Sequence, residues 1–136
     1  MNHFLVKTEP EAFSWDDLVR ESPACCWDGV RNYQARNYLR AMQIGDRVLI
    51  YHSVKERRVV GIARVTRAAY PDPTVVDDRW VAVDLAADAP LPRPVPLAEI
   101  KADELLRELA LVRQSRLSVM PVPAAAYDRI LMLGQG

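Results

Sequence analysis

The sequence predicts an α+β fold in which a mixed β-barrel carries helices packed around its outside. Five or six short strand patterns occur along the 136 residues, with helical patterns between them. Short strands with helices inserted between them favour a mixed barrel over a doubly wound parallel sheet. The length fits a single domain over residues 1–136.

The chain begins with a strand, a helix and a second strand. Residues 3–8 predict a short buried strand that Pro10 ends. Ser14 is a good N-cap with acids in the turn that follows, which predicts a helix ending before Pro23. Residues 25–30 predict a strand that runs into an Asp-Gly turn.

A second helix follows, capped by Asn32 and ended by Gly45. Its apolar positions have the spacing of one buried helical face; they are Ala35, Tyr38, Leu39 and Met42. Residues 47–53 and 59–65 predict the two strands of a hairpin, joined by the charged residues 54–58.

The second half of the chain alternates loops, strands and helices. We predict a loop at residues 70–73 and a strand at residues 80–85. Residues 90–96 are rich in proline but too short to link two domains. The remaining predicted elements are a helix over residues 97–109, in one or two pieces, a strand at 117–122, and a closing helix at 124–133 with Tyr127, Ile130 and Leu131 on one side.

Charge is balanced overall but unevenly distributed. Eighteen basic residues match eighteen acidic ones, which counts against tight, nonspecific coating of nucleic acid. Residues 31–67 hold nine basic and two acidic side chains, an excess of seven, whereas residues 68–111 lean acidic. This basic span either clusters on one face and attracts phosphates or is a set of solvated surface charges. Arg57 and Arg58 are the phosphate contacts that we predict within it.

The chain carries no predicted membrane span or leader. No stretch approaches the roughly 20 apolar residues that cross a bilayer, and the first residues lack the basic and apolar regions of a signal peptide. The two cysteines, Cys25 and Cys26, are neighbours, and adjacent cysteines rarely form a disulfide because the geometry is strained. We therefore expect a soluble cytoplasmic protein, reduced and monomeric, with no membrane partner.

Several segments resemble those of the EVE domain family, in the family's order and over nearly the whole chain. They are residues 4–10 (FLVKTEP), 27–37 (WDGVRNYQARN), 45–46 with 51–53 (GD and YHS), 61–63 with 70–74 (GIA and YPDPT), and 115–122 (SRLSVMPV). Phe4 and Thr8 replace the Trp and Ser that are usual in the family. If either position lines the pocket, the preferred base could differ.

The resemblance implies a PUA-like barrel, related in architecture to the modules that read methylated adenine in RNA. It also implies a non-catalytic binding module whose partner is a nucleic acid with a modified base. Methylated or hydroxymethylated cytosine in DNA is the leading candidate, and a base in a duplex has to be flipped out to be reached.

A base-binding pocket needs aromatic surface for stacking and polar groups for the base edge. Both kinds of group occur in the family-like segments. The predicted pocket is lined by Trp27, Arg31, Asn32, Tyr33 and Ser53, with Lys7, Tyr70 and Ser118 near it. Two plainer interpretations stay open: Trp27 is a core residue, and Asn32 is only a helix cap.

Two other functions remain as hypotheses. A nucleotide or nucleic-acid hydrolase would use Cys25 or Cys26 as nucleophile and His52 as base, although adjacent cysteines are more often buried apolar residues. Paired carboxylates in a clear motif, metal-ligand spacing and a Gly-rich phosphate loop are missing, so neither a metal nor a cofactor is expected. The third hypothesis is a protein-interaction domain with an empty pocket.

Overall fold

One six-stranded mixed sheet organises the chain in the computed structural model, which describes residues 1–136. The strands are β1 (His3–Thr8), β2 (Cys25–Trp27), β3 (Arg47–His52), β4 (Arg58–Pro71), β5 (Val81–Pro96) and β6 (Val119–Pro121). The helices are α1 (Trp15–Glu21), α2 (Tyr33–Ala41), α3 (Leu97–Ala102), α4 (Ala110–Arg113) and α5 (Ala124–Leu133). The predicted α+β class is confirmed.

The sheet is open, so the predicted closed barrel is wrong. Its strands lie in the order β2-β5-β4-β3-β1-β6, and β1 pairs in parallel with β3 while every other pair is antiparallel. The outer strands β2 and β6 pair only inward and are three residues long each. Because β2 and β6 do not pair with each other, no ladder joins the two edges of the sheet into a barrel.

The proline-rich segment continues β5 well beyond the strand predicted at residues 80–85. Pro90 and Pro96 both lie opposite residues of β4. Only residues 83–85 of β5 also pair with β2, so the rest of the strand has one hydrogen-bonded neighbour. Proline is tolerated on such an edge because its missing N–H is not needed by a second ladder.

Local signals placed most helix boundaries correctly. The Ser14 side chain accepts the Asp17 N–H at 3.2 Å, and the Asp17 carboxylate accepts the Ser14 N–H at 2.8 Å, which forms a capping box at the start of α1. The closing helix α5 matches the predicted residues 124–133. The helix predicted over residues 97–109 forms only as the short α3, and turns lead from it to α4.

The core lies on the sheet and under the helices that cover it. Leu5, Leu49, Leu85 and Ile130 are among the fully buried side chains. α2 packs against β4, β5 and β6 and buries the predicted face, although Tyr38 is only half-buried. This packing places the start of α2 between the end of β2 and the segment before β6. No helix of the structure is long and apolar enough to cross a membrane.

Candidate functional site

A cavity of about 420 Å³ opens where the end of β1, the β2–α2 connection and the segment before β6 meet. It is lined by Lys7, Thr8, Phe13, Glu21, Cys26, Trp27, Asp28, Gly29, Val30, Arg31 and Ser118. We call it the Trp27 cavity. Its size is within the range of small-molecule sites.

Two aromatic rings form its apolar wall. Trp27 is 8% exposed and meets Phe13 edge-on, with the ring centroids 5.8 Å apart and the planes at 86°. The Thr8 hydroxyl donates to the Phe13 carbonyl at 2.7 Å and holds this residue beside the cavity. Trp27 is therefore both a core residue and a wall of the cavity, so the two interpretations of it are compatible.

The two departures from the family pattern occupy different environments. Phe4 is buried in the core and is not among the residues that line the cavity. Thr8 does line the cavity. Its side chain carries a methyl group that serine lacks, so of the two positions only Thr8 changes the shape of this cavity.

Asp72 holds the turn that frames the cavity, although its side chain is fully buried behind it. Its Oδ2 accepts the Gly29 N–H and the Arg31 Nη1, both at 2.9 Å. Its Oδ1 accepts the Thr74 N–H at 2.8 Å and the Thr74 hydroxyl at 2.5 Å. Gly29 has a φ of +79°, a conformation that favours glycine. The carboxylate therefore fixes both the turn and the guanidinium beside it.

The hydrogen bonds to Asp72 control its charge. Burial by itself would raise the pKa of this carboxyl, but the bonds from Thr74, Gly29 and Arg31 together hold the pKa well below its ordinary value. Asp72 is thus ionised and supplies the negative partner of Arg31. Asp72 belongs to the family-like YPDPT segment. Sequence analysis gave it no role because Gly29 and Arg31, the partners that connect it to the site, are more than 40 residues away.

Lys7 supplies a cation on the side of the cavity formed by β1. Its Nζ donates to the Ser115 carbonyl at 2.9 Å and lies 6.0 Å from the centroid of the Tyr51 ring. Burial lowers the pKa of this amine from its ordinary value. Ser118 lines the same cavity. The structure therefore brings together four of the predicted residues, Lys7, Trp27, Arg31 and Ser118.

The other four predicted residues lie outside the Trp27 cavity, which corrects the prediction of a single pocket. Tyr33 is 51% exposed and stacks on Trp80, with centroids 5.1 Å apart. Arg79 donates from Nη1 to the Tyr33 hydroxyl at 3.1 Å, and the Arg36 guanidinium carbon lies 4.9 Å from the Tyr33 ring centroid. Tyr33 is the first residue of α2, and its side chain belongs to this exposed cluster of aromatic and arginine side chains, not to the Trp27 cavity.

Asn32 caps α2. Its Oδ1 accepts the Ala35 N–H at 2.9 Å, as the plainer interpretation of this residue required. The side chain lines a separate groove next to the Trp27 cavity.

Ser53 lies just beyond β3 and lines a second cavity, of about 500 Å³, together with His52 and Trp15. Its N–H donates to the Thr8 carbonyl, which extends the β1–β3 pairing by one residue. The pairing therefore explains why Ser53 is close to Thr8 in the backbone but does not share its cavity.

Tyr70 is directed at the sheet. Its hydroxyl donates to Asp84, and the Arg67 guanidinium carbon lies 3.8 Å from its ring centroid. Burial and the bond to Asp84 raise the pKa of the Tyr70 hydroxyl. Tyr70 itself does not line the cavity. Cys26 does, and its thiol also raises the pKa of Tyr70.

The basic span does not gather at the Trp27 cavity. Arg57 donates to the Val54 carbonyl, and Arg58 pairs with Glu56; they line other depressions. Several further cations of the span are paired with carboxylates: Arg31 with Asp72, Arg47 and Arg64 with Asp88, and Lys55 with Glu11. Solvated or ion-paired charges therefore describe the span better than one basic face.

The cysteine–histidine pair of the hydrolase hypothesis is not assembled. His52 is buried, its Nε2 accepts the Trp15 N–H at 3.0 Å, and its Nδ1 lies 2.9 Å from Glu56. Burial raises the pKa of the Cys25 thiol to about 12, which keeps it protonated. β4 and β5 separate the strands that carry the two groups. His52 therefore contacts Trp15 and Glu56 and has a structural role at this point of the fold.

No group of three or more His, Cys, Asp or Glu side chains is arranged to hold a metal ion. Sequence analysis missed four aromatic or acidic residues that line the cavity or fix it: Phe13, Asp28, Glu21 and Asp72. The family-like WDGVRN and YPDPT segments contain two of them, so the motif was the available signal. Nothing in the local sequence marked Phe13 or Glu21.

Comparisons with known proteins connect this geometry to a family. A model described as the EVE domain matches residues 2–133. Human thymocyte nuclear protein 1 is similar to the chain at 34% identity, over 97% of this chain and 73% of the relative. A crystal structure of a protein from Agrobacterium tumefaciens is similar with a TM-score of 0.96 and 41% identity, covering 98% of this chain and 93% of that one.

One of the similar structures is a complex with DNA. It is human THYN1 protein in complex with DNA containing 5-methylcytosine, with a TM-score of 0.91, 34% identity, and coverage of 100% of this chain and 99% of that one. A YTH domain from Zygosaccharomyces rouxii, in complex with N6-methyladenosine RNA, aligns with a TM-score of 0.62 at 16% identity over 98% of this chain and 86% of that one. That likeness shows a shared fold only.

Proposed function

The chain belongs to the EVE domain family, and from this premise we propose that it is a non-catalytic module that binds a modified base in the Trp27 cavity. The proposed ligand is 5-methylcytosine in DNA, with 5-hydroxymethylcytosine next. The observation that carries the proposal is a cavity with an aromatic wall and with both donors and acceptors around it. The complex of the similar human THYN1 protein with 5-methylcytosine DNA supports the choice of base.

The polar groups of the cavity suit the edge of cytosine. That edge carries an amino donor at N4 and acceptors at N3 and O2, and carboxylates are the usual acceptors for the amino group. Asp28 and Glu21 supply carboxylates, whereas Lys7 and Arg31 supply cationic donors. Because Asp72 holds Arg31 in place, this donor is already positioned before a base arrives.

The apolar side of the cavity suits a ring and a methyl group. Trp27, Phe13 and Val30 line it, and Trp27 and Val30 are buried, so a base that is still stacked in a duplex cannot lie against them. The base therefore has to be flipped, at a cost of a few kcal/mol, which stacking worth roughly 1–3 kcal/mol offsets in part. The extra methyl group of Thr8 narrows the same space, so we expect it to influence which modification fits.

We also propose that the fold is PUA-like and that the protein is cytoplasmic. β4 and β5 contain 14 and 16 residues and shift register at four places, and such bulges bend a sheet in the manner that a PUA-like fold needs. A reducing compartment such as the cytoplasm suits two free, adjacent cysteines.

Binding to matched oligonucleotides tests the function. Fluorescence anisotropy at one fixed salt concentration compares duplexes with a single cytosine, 5-methylcytosine or 5-hydroxymethylcytosine, and RNA with N6-methyladenosine. We expect the 5-methylcytosine duplex to bind tightest. Replacing Asp28 with Asn should weaken binding of the 5-methylcytosine duplex by roughly 1–3 kcal/mol, because an amide oxygen is a weaker acceptor for the amino group than a carboxylate.

Asp16 provides the matched control, since it is an exposed carboxylate that lines the second cavity. The Asp16→Asn variant should bind every oligonucleotide as the wild type does. Equal affinity of the wild type for all four oligonucleotides would reject base reading. Tightest binding to the RNA would keep base reading but change the base.

A further inference from the structure

A groove beside the Trp27 cavity is polar and contains no acidic residue. It has a volume of about 330 Å³ and is lined by Asn32, Gln34, Arg113, Gln114, Ser115, Arg116 and Leu117. We call it the flanking groove. Two guanidinium groups, three amides and a hydroxyl therefore face one depression without a carboxylate among them.

The flanking groove and the Trp27 cavity share a wall. Asn32 directly follows Arg31, and Leu117 directly precedes Ser118, so the chain passes from one depression to the other at two places. Lys7, which lines the cavity, donates from Nζ to the carbonyl of Ser115, which lines the groove, at 2.9 Å. A ligand whose base lies in the cavity thus has its attached backbone at the entrance of the groove.

The cations of the groove are available to an outside anion. Arg116 is exposed and forms no ion pair, whereas ten of the other basic residues do. Arg113 pairs with Glu108, but both side chains are more than half exposed, at 58% and 67%. An exposed pair of this kind contributes little to stability, so a phosphate can replace the Glu108 carboxylate at small cost.

The uncharged side chains of the groove are suitable donors. Asn32 uses its Oδ1 to cap α2, which leaves its NH₂ as the free end of the side chain. Gln34 and Gln114 are exposed amides on either side. Amides, arginines and N–H groups at helix starts are the groups that contact phosphate oxygens in protein–DNA interfaces.

We propose that the flanking groove binds the phosphodiester backbone next to the flipped nucleotide, with Arg113 and Arg116 contacting the two flanking phosphates. This inference rests on the proposed function of the Trp27 cavity. It moves the phosphate contacts from Arg57 and Arg58, where sequence analysis expected them, to Arg113 and Arg116 in the segment before β6. In this arrangement the cavity selects the base and the groove supplies affinity without regard to sequence.

The salt dependence of binding tests the groove. The variant Arg113→Gln/Arg116→Gln is compared with Lys101→Gln/Arg107→Gln, which removes the same charge from two exposed residues without ion pairs. The plot of log affinity against log salt should become shallower by about one for each lost phosphate contact. We expect this change for the groove variant only, with modified and unmodified duplexes weakened by the same factor. Thermal unfolding checks that both variants are folded.

A neutral backbone locates the contact. Methylphosphonate is placed at the two phosphates that flank the modified cytosine, or at two phosphates four nucleotides away. Methylphosphonate at the flanking phosphates should weaken binding of the wild type several-fold. The groove variant already lacks both arginines, so the same substitution should cost it little further affinity. An unchanged salt slope in the groove variant, an equal change in the control variant, or the same loss from the flanking substitution in wild type and groove variant would each overturn the proposal.

The two proposals fail in different ways. If the cavity does not read a base, the wild type binds modified and unmodified duplexes equally, whatever the salt slopes show. If the groove does not bind phosphates, the preference for the modified duplex remains and the groove variant keeps the slope of the wild type. Absence of any binding to nucleic acid by the wild type overturns both.

Discussion

Asp72 is the residue on which the geometry of the site depends most. Its buried carboxylate accepts four hydrogen bonds, one of them from the partly exposed guanidinium of Arg31. In the Asp72→Asn variant an NH₂ group replaces one carboxylate oxygen, so a donor faces N–H and O–H groups that also donate. We expect the free energy of unfolding to fall by roughly 1–3 kcal/mol, the cost of leaving a buried hydrogen-bonding group without its partner. Chemical denaturation at pH 7 measures it, and Asp16→Asn is the control with an exposed carboxylate.

The same residue predicts how stability depends on pH. The pKa of Asp72 is lower in the folded protein than its ordinary value near 3.9, so the unfolded chain takes up its proton first as the pH falls. Its contribution is complete above the unfolded pKa and is lost progressively from about pH 5 downward. The wild type should therefore lose more stability than Asp72→Asn between pH 6 and pH 3. Parallel curves would show that other carboxyl groups dominate.

Trp27 combines a core position with a position on the wall of the cavity. Replacing it with Ala should remove the preference for 5-methylcytosine over cytosine, at a cost of roughly 1–3 kcal/mol in binding the modified duplex. Stability falls as well because a buried ring is lost, and thermal unfolding sets the temperature at which binding is compared. Trp27→Phe, which keeps an aromatic face, should retain part of the preference. A full preference in Trp27→Ala would assign Trp27 to the core alone.

At the level of elements, the start of α2 separates two functions that sequence analysis had assigned to Asn32. The side chain caps the helix, so Asn32→Ala should lower the free energy of unfolding by about 0.5–2 kcal/mol. Asn32→Asp keeps the cap and should be nearly as stable as the wild type. Neither variant should change the preference for the modified base. Loss of that preference in both would return Asn32 to the base-reading set.

The contact between α1 and the sheet depends on a single glycine. A Cβ atom at Gly61 in β4 would lie 2.5–2.7 Å from three ring carbons of Trp15. Gly61→Ala should therefore destabilise the protein by roughly 1–3 kcal/mol through overpacking. Adding Trp15→Leu removes the ring that clashes, so the double variant should lose less than the sum of the single variants. Additive losses in denaturant unfolding would mean that the backbone of β4, and not Trp15, resists the methyl group.

At the scale of the whole molecule, the open sheet raises the question of self-association. Its two edge strands have three residues each, and the exposed large apolar side chains are scattered along the chain; they are Met1, Val19, Tyr33, Ile44, Val54, Val76, Leu105 and Met132. Short edges and isolated apolar side chains disfavour edge-to-edge pairing. We expect a monomer of 15.4 kDa by sedimentation equilibrium up to the concentrations used for binding. A stable dimer would show that one of these edges or the Tyr33 cluster is an interface.

The sequence by itself determined the features that depend on neighbouring residues. The N-cap at Ser14, the Asn32 cap, the apolar face of α2 and the closing helix α5 were all predicted, because the atoms that form them lie within a few residues of one another. Motif resemblance went further and identified the family together with four residues of the cavity. This was possible because the residues of a family motif come together in the folded structure, although their local chemistry does not show those contacts.

Only the tertiary structure decided the features that depend on pairing between distant segments. β5 continues through its prolines because one of its sides needs no partner, and the sheet stays open because its outer strands do not pair with each other. Asp72 meets Arg31 across 41 residues, while Ser53 is one residue beyond a strand and therefore lines another cavity. Each of these outcomes depends on which strand lies beside which and in what register. That choice is made by the free energy of the whole sheet and its core, so no local stretch of sequence specifies it.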